Sequence, residues 1–324
     1  MRIAMMGTGL FAEPTFEKLL ASGQVVGLFT QPDRAGGSES GSTRQTGRGM
    51  KVIAAEHPGV VVHQPESINT PEGVDMLRGL APDLLVVAAY GQILSAEILA
   101  IPRVGAINVH ASLLPKYRGA APIAWAIYHG ETHTGVTIIR ISTGLDAGEM
   151  LAQQSSPLGP DETAGEVEAR LAHTGADLAL GVVARMAVGP VSGTKQDLSL
   201  VTKAPKLKKE HGAIDWAKAA ERVYDQIRAM HPWPTPYTFW HRAGQPPLRL
   251  IVHRATPRIA LPGEQGPPGI VLPTADRLSV VAGEGTILEV IELQPAGKKR
   301  MTAADFLRGR RVLPGDRLAP EIPS

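Results

Sequence analysis

No cysteine occurs among the 324 residues, which excludes disulfides and thiolate-bound zinc and agrees with a reducing compartment. Long apolar runs are missing as well. No stretch approaches the roughly 20 residues that cross a bilayer. After Met1-Arg2 the strand-like Ile3-Ala4-Met5-Met6 soon reaches Glu13, so no secretory leader is read there. The chain is therefore expected to be soluble and cytoplasmic, or organellar after loss of a transit peptide, with no membrane partner. A zinc-protease helix fails where it is most nearly spelled: His129-Gly130-Glu131-Thr132-His133 lacks Glu directly after the first His, and Gly130 and Gly135 interrupt a helix. No metal is expected. Aromatic residues make up only 4% of the chain. Trp216, Trp233 and Trp240 lie within helix and strand patterns and are expected to fill a core rather than stack on nucleobases.

What is present suits two domains with cores of their own. The net charge of +2 hides an asymmetry: residues 1–202 carry 14 Lys and Arg against 19 Asp and Glu, and residues 203–324 carry 19 against 12. Clustered positive charge attracts a polyanion through counterion release, and it equally keeps a surface soluble, so charge alone leaves both readings open.

The first two hundred residues alternate strands and helices. Strands are expected at Arg2 to Gly7, Val25 to Thr30, Leu84 to Ala89, Ala106 to His110 and Val136 to Ile141; helices at Phe11 to Ser22, Pro71 to Leu80, Pro122 to His129 and Ala164 to Ala187. That alternation implies an α/β fold, a Rossmann-like, doubly wound and mainly parallel sheet that binds ligands beyond the carboxyl ends of its strands. Gly7-Thr8-Gly9-Leu10-Phe11-Ala12 fits the loose dinucleotide fingerprint, but the acid expected at the end of the second strand would be Asp33, which heads an irregular Gly/Ser stretch. Glycines at a tight turn need no nucleotide, and no nicotinamide is expected.

Residues 1–191 read as the catalytic domain and 192–212, lysine-rich and without apolar period, as a linker. A helix at Trp216 to Met230 and short β runs at Leu248 to His253, Gly269 to Leu272, Leu278 to Val281 and Thr286 to Leu293 then make residues 213–324 a smaller β-barrel domain. Lys298-Lys299-Arg300 is expected on its surface.

The most informative residues are Asn108-Val109-His110. Alternation along a strand puts Ile107 and Val109 toward the core, and Asn108 and His110 together on the other face. A Gly-bracketed turn, Gly144-Leu145-Asp146-Ala147-Gly148, can bring a carboxylate to the same place. Asn108 then offers an oxyanion donor, His110 a proton carrier and Asp146 an orienting anion or a holder of a shuttling water, the set that acyl transfer to an amine requires. Singly, each has a structural explanation: a backbone-bonding Asn, a satisfied His, a turn-forming Asp.

Asn-x-His, followed by Ser112-Leu113-Leu114-Pro115-Lys116-Tyr117-Arg118-Gly119 and an Asp in Leu-Asp-x-Gly, resembles the folate-dependent formyltransferases. Arg118-Gly119-Ala120-Ala121-Pro122-Ile123 looks most like the branch that formylates methionyl-tRNA, and Ile214-Asp215-Trp216, Pro232-Trp233-Pro234 and Met301 to Leu307 extend the likeness to the C-terminal half. The resemblance implies Asn108, His110 and Asp146 as catalytic residues, Ser112, Leu113, Leu114, Pro115 and Ile93 as folate contacts, and an OB-like, tRNA-binding second domain. It further implies 10-formyltetrahydrofolate as formyl donor and initiator methionyl-tRNA as partner. Apart from the resemblance, a monomer is expected.

Residues Thr30 to Lys51, rich in Gly, Ser and Arg, are expected to be disordered when free and to order against RNA phosphates, unless they form a merely solvated linker. The resembled family has a loop here that enters the tRNA acceptor end with a Gly-Arg-Gly segment, matched by Gly47-Arg48-Gly49; this implies Arg48, and with it Arg44, as tRNA contacts. Ala35 in place of proline and the inserted Gly37 to Ser42 depart from that pattern. The rival readings are the same chemistry on a sugar-nucleotide amine or water, an RNA-binding module with an idle α/β domain, and a nicotinamide oxidoreductase.

Overall fold

The computed structural model describes residues 1–33, 47–273 and 277–320, so Arg44 lies outside the described residues. The chain divides into two compact units, one of residues 1–126, 132–160 and 165–206, the other of residues 127–131, 161–164 and 207–324.

In chain order the elements begin β1 (Ile3–Gly7), α1 (Glu13–Ala21), β2 (Val25–Phe29), α2 (Met50–Ala55), β3 (Val61–His63), α3 (Pro71–Leu80), β4 (Leu84–Ala88), α4 (Ala96–Leu99) and β5 (Gly105–His110). They continue with β6 (Arg118–Gly119), α5 (Pro122–Tyr128), β7 (His133–Arg140), β8 (Met150–Pro157), α6 (Ala164–Val188) and β9 (Lys203–Ala204). The main sheet runs β3-β2-β1-β4-β5-β7-β8. Its first five strands are parallel, and β7 and β8 return antiparallel. Unbroken burial of β1 and β4 accounts for their continuous apolar runs, since helices cover both faces of a parallel sheet. Strand order reverses between β1 and β4, and β5 follows directly beside β4.

Local chemistry sets the helix ends. The Thr70 hydroxyl accepts the Gly73 N–H, Pro71 occupies the first turn and Ala81 closes α3 in the left-handed region. In the first turn of the fold, a Cβ at Gly7 would stand 2.7 Å from the Ala12 Cβ and 2.9 Å from the Ala88 carbonyl oxygen, so this glycine is required for packing. Helix α5 ends at Tyr128 and β7 begins at His133, which separates the two histidines of the failed zinc signature.

Helix α6 corrects one expectation. It is long and apolar enough, by length and composition, to cross a membrane. Its pattern is nevertheless that of a core helix. Val167, Leu171, Ala172, Ala176, Ala179, Val183 and Met186 form a buried stripe. A Cβ on Gly175 would lie 2.8 Å from Val109 Cγ1 and 3.4 Å from Val136 Cγ1, so the helix lies directly on β5 and β7.

The stretch read as a linker is structured: Thr194 pairs with Met150, β9 pairs with β6, and Thr202 and Ala204 accept the N–H groups of Arg118 and Ala121. The second unit contains α7 (Ala220–Ala229), β10 (Tyr237–His241), β11 (Leu248–Ile259), β12 (Leu278–Val281), β13 (Thr286–Pro295), β14 (Met301–Thr302), α8 (Ala303–Gly309) and β15 (Arg317–Ala319). Its sheet order is β12-β13-β11-β10-β15. The segment 269–272 closes the ring, bonding on one side to Ser279 and Val281 of β12 and on the other to Asp316 and Leu318. A closed antiparallel barrel of this size matches the OB-like expectation. Trp216 and Trp240 are buried inside it, with Trp240 edge-on to Phe306, while Trp233 is half-buried.

Candidate active site

Strand β5 delivers Asn108 and His110 two residues apart on the same face, with Ile107 and Val109 buried on the other. The connection from β7 to β8 folds back over them. It is pinned where Gly148 passes the Arg140 carbonyl so closely that a Cβ would come within 1.6 Å of that oxygen, and it carries Asp146 in the left-handed region at φ +46°. The Asn108 Nδ2 donates to Asp146 Oδ1 at 3.3 Å, and Asp146 Oδ2 stands 3.6 Å from His110 Nδ1 while accepting the Gly119 N–H at 2.9 Å. The three residues singled out by pattern therefore meet. His110 and Asp146 are withdrawn from water, with side chains 5% and 12% exposed.

The other ring nitrogen of His110, Nε2, lies 2.9 Å from the Tyr117 carbonyl oxygen. A carbonyl only accepts, so Nε2 carries hydrogen and Nδ1 is the ring nitrogen that faces Asp146. Tyr117 is itself in the left-handed region at φ +63°, clamped by the Thr202 hydroxyl, which accepts its N–H at 2.8 Å.

The segment Ser112 to Pro115 divides into scaffold and surface. Ser112 and Leu114 are buried. The Ser112 hydroxyl donates to the Lys116 carbonyl, Thr137 Oγ1 donates to the Ser112 carbonyl, and the Gln153 amide donates to the Leu114 carbonyl. Leu113 and Pro115 are partly exposed. Ile93, on the segment leaving β4 beside β5, is 80% exposed, and Leu145, next to Asp146, is 65% exposed. Tyr90, at the end of β4, is buried, and burial pushes its phenol far above the ordinary range, so it stays neutral.

Arg48 lies among the described residues, and its guanidinium is held by Glu17 at 2.9 Å and Glu56 at 2.5 Å. The buried Glu13 carboxylate accepts the N–H groups of Arg48 and Gly49 at 3.1 and 2.9 Å. Asp33, the acid considered for a nucleotide ribose, is engaged by Lys51 and Gln64, whose hydrogen bonds hold its carboxyl below the usual range.

Sequence reasoning missed Gln196, Thr202 and Glu13. Gln196 and Thr202 lie in the lysine-rich stretch without apolar period, and Glu13 resembles any acid in a first helical turn. No local signal marks them, because each acts on groups distant in the chain, backbone above all.

Two family models match the chain, Formyl transferase over residues 1–183 and Formyl transferase, C-terminal domain, over residues 206–311. The methionyl-tRNA formyltransferase of Geobacter sulfurreducens is 43% identical over 320 residues, which cover 98% of this chain and 96% of the relative. That of Halalkalibacterium halodurans is 41% identical and covers 95% of each. Among solved structures, an N-formyltransferase from Helicobacter canadensis, in complex with folinic acid and dTDP-3-aminofucose, superposes with a TM-score of 0.64 at 16% identity, covering 90% of this chain and 98% of the other. Methionyl-tRNA formyltransferase from Clostridium thermocellum gives 0.55 at 18% identity over 79% of this chain and 93% of its own; both likenesses bear on the fold. With a family model matching more than half its length and a relative this similar along nearly all of it, this chain belongs to the formyl transferase family.

Proposed function

We propose that this enzyme transfers the formyl group of 10-formyltetrahydrofolate to the α-amine of methionine esterified to initiator tRNA. The observation that carries the reading is the convergence of the Asn108 amide, the His110 imidazole and the Asp146 carboxylate on one point. Full-length relatives named methionyl-tRNA formyltransferase support the choice of acceptor.

The attacking amine has an ordinary pKa near 8, so a sizeable neutral fraction exists at neutral pH and the site needs only to position it. As nitrogen adds to the formyl carbon, negative charge gathers on the formyl oxygen. One Asn108 amide hydrogen is directed at Asp146, and the other is left for that oxygen. The proton shed by the amine passes to His110 Nδ1 and from there to the departing folate nitrogen. The Nε2–H anchor on the Tyr117 carbonyl keeps the ring from turning meanwhile. Asp146 steadies the ring while it is charged. Its oxygens already accept from Asn108 and Gly119, which favours an orienting anion over a proton carrier.

Ile93, Leu113 and Pro115 give the folate ring system an apolar surface, on a scaffold built by Ser112 and Leu114. The basic second domain, residues 213–324, binds tRNA backbone; Arg48 is a separate tRNA contact that exchanges its carboxylate partners for phosphate, and Arg44, four positions earlier in the sequence, is assigned the same role. The test is to supply labelled 10-formyltetrahydrofolate with charged and uncharged initiator and elongator tRNAs and with sugar-nucleotide amines. Label on methionyl initiator tRNA is expected. Label on a sugar amine alone, or release as free formate, overturns the reading.

A further inference from the structure

We infer that Gln196 is a positioning residue for the reaction, holding Asp146 in register with His110; the inference rests on the proposed role of Asp146. Gln196 is 9% exposed, and its amide is fully used. Nε2 donates to the carbonyls of Asp146 at 2.7 Å and Gly148 at 2.8 Å, and Oε1 accepts from Arg118 Nε at 3.0 Å and Nη2 at 2.8 Å. Two donors meet two carbonyls and one acceptor meets a guanidinium, so only one orientation of the amide satisfies the site. Reversing it would set oxygen against two carbonyl oxygens.

The backbone that Gln196 grips needs holding. Asp146 is a non-glycine residue in the left-handed region, a conformation that costs roughly 1–2 kcal/mol and persists where its surroundings over-determine it. Gln196 ties the carbonyls of residues 146 and 148 from one side, and so fixes the backbone leaving the Cα that carries the Asp146 side chain. Through Arg118 it also reaches the strand residue that precedes Gly119, whose N–H meets Asp146 Oδ2. One side chain thus fixes both the carboxylate and a donor that orients it. Removing it leaves two carbonyls without these partners and lets the turn relax; a displacement of about 1 Å at a catalytic group costs on the order of 10²-fold in rate.

The experiment is a double-mutant cycle on the full chain. Gln196→Ala is expected to lower kcat about 10- to 100-fold, with KM for donor and for tRNA within about threefold of wild type. In an Asp146→Asn background the same change is expected to cost less than about threefold, because the group it positions is already gone. Gln196→Glu, which still faces Arg118 but repels both carbonyls, is expected to fall at least as far. Gln196→Met keeps the length and carries the cycle if the alanine variant does not fold. Costs that multiply in the double variant, or a raised KM with unchanged kcat, overturn the inference. Full activity of Asp146→Asn overturns the reading of the site itself, whereas an inactive Asp146→Asn beside fully active Gln196 variants overturns the inference alone.

Discussion

Asp146→Asn is the most direct probe of the site, because it changes charge and hydrogen bonding while leaving size and backbone nearly untouched. Asn tolerates the left-handed conformation as well as Asp does, so the turn at φ +46° should survive. The carboxylate now faces three groups: the Asn108 amide at 3.3 Å, the Gly119 N–H at 2.9 Å and His110 Nδ1 at 3.6 Å. An amide has one acceptor oxygen, so wherever it points, its NH₂ opposes another donor. Turning the oxygen toward Gly119 is the lesser conflict, and it leaves Asn108 pushed away and Nδ1 facing a neutral group. For a charged ring and a carboxylate 3.6 Å apart, at an effective dielectric of about 20, the lost attraction is at most about 4–5 kcal/mol. Part of it survives in the amide dipole, so the expected fall in single-turnover formylation of methionyl-tRNA is about 10²–10³-fold, with substrate affinities within about threefold. A rate within tenfold of wild type, in a variant whose near-UV spectrum is unchanged, would refute the reasoning.

At Gly119, alanine would need φ +129° and would place its Cβ 2.5 Å from the Ala204 carbonyl oxygen, within the β6–β9 pair. Gly119→Ala should therefore lower both stability, by about 2–3 kcal/mol in denaturant melts, and formylation rate; a stable, fully active variant is the contrary result. Within α6, Gly175→Ala meets Val109 and is expected to destabilise by about 1–2 kcal/mol, while Gly181→Ala, with no atom within 4 Å of its Cβ, is expected to stabilise by about 0.5–1 kcal/mol. Equal effects at both positions would contradict the packing given for this helix. Burial pushes the imidazoles of His63 and His253 below their ordinary value of 6.5. Unfolded chains then take up protons first, so stability that is full above about pH 6.5 is lost as pH falls toward the lowered folded values. The Tm should drop between pH 7 and 5, less steeply in His63→Gln, and a flat profile speaks against it. Arg48→Ala removes half-exposed ion pairs and should change stability by less than about 1 kcal/mol. It should also raise KM for tRNA and reduce the salt slope of binding by about one, with donor KM unmoved.

The parts of this fold legible in the sequence are those where one local pattern decides. Strands β1, β4 and β5 are apolar runs bounded by turn residues, and α3 announces both ends through Thr70, Pro71 and the residues that follow. The catalytic candidates were legible because period-two alternation put Asn108 and His110 on one face and glycines bracketed Asp146. Strand β8 was not, since Gln153-Gln154-Ser155-Ser156 lies at the sheet edge and keeps polar side chains exposed. Pro232, Pro234 and Pro236 hid the approach to β10, and Pro257 cut short the expected run of β11, which passes through it beyond a register shift near Arg254. Gln196 illustrates the deeper limit. Its partners lie 48 to 78 positions away, and two of the groups it satisfies are peptide carbonyls, which every sequence has everywhere.

The short segment 269–272 has a consequence for how the second unit behaves in a crowded solution. By occupying the facing edges of β12 and β15 at once, it closes these two edges to a foreign strand, which protects them against edge-to-edge aggregation. A protease cut that frees these few residues would expose two unsatisfied edges together. Loss of solubility, rather than loss of any single contact, is then the symptom to watch for.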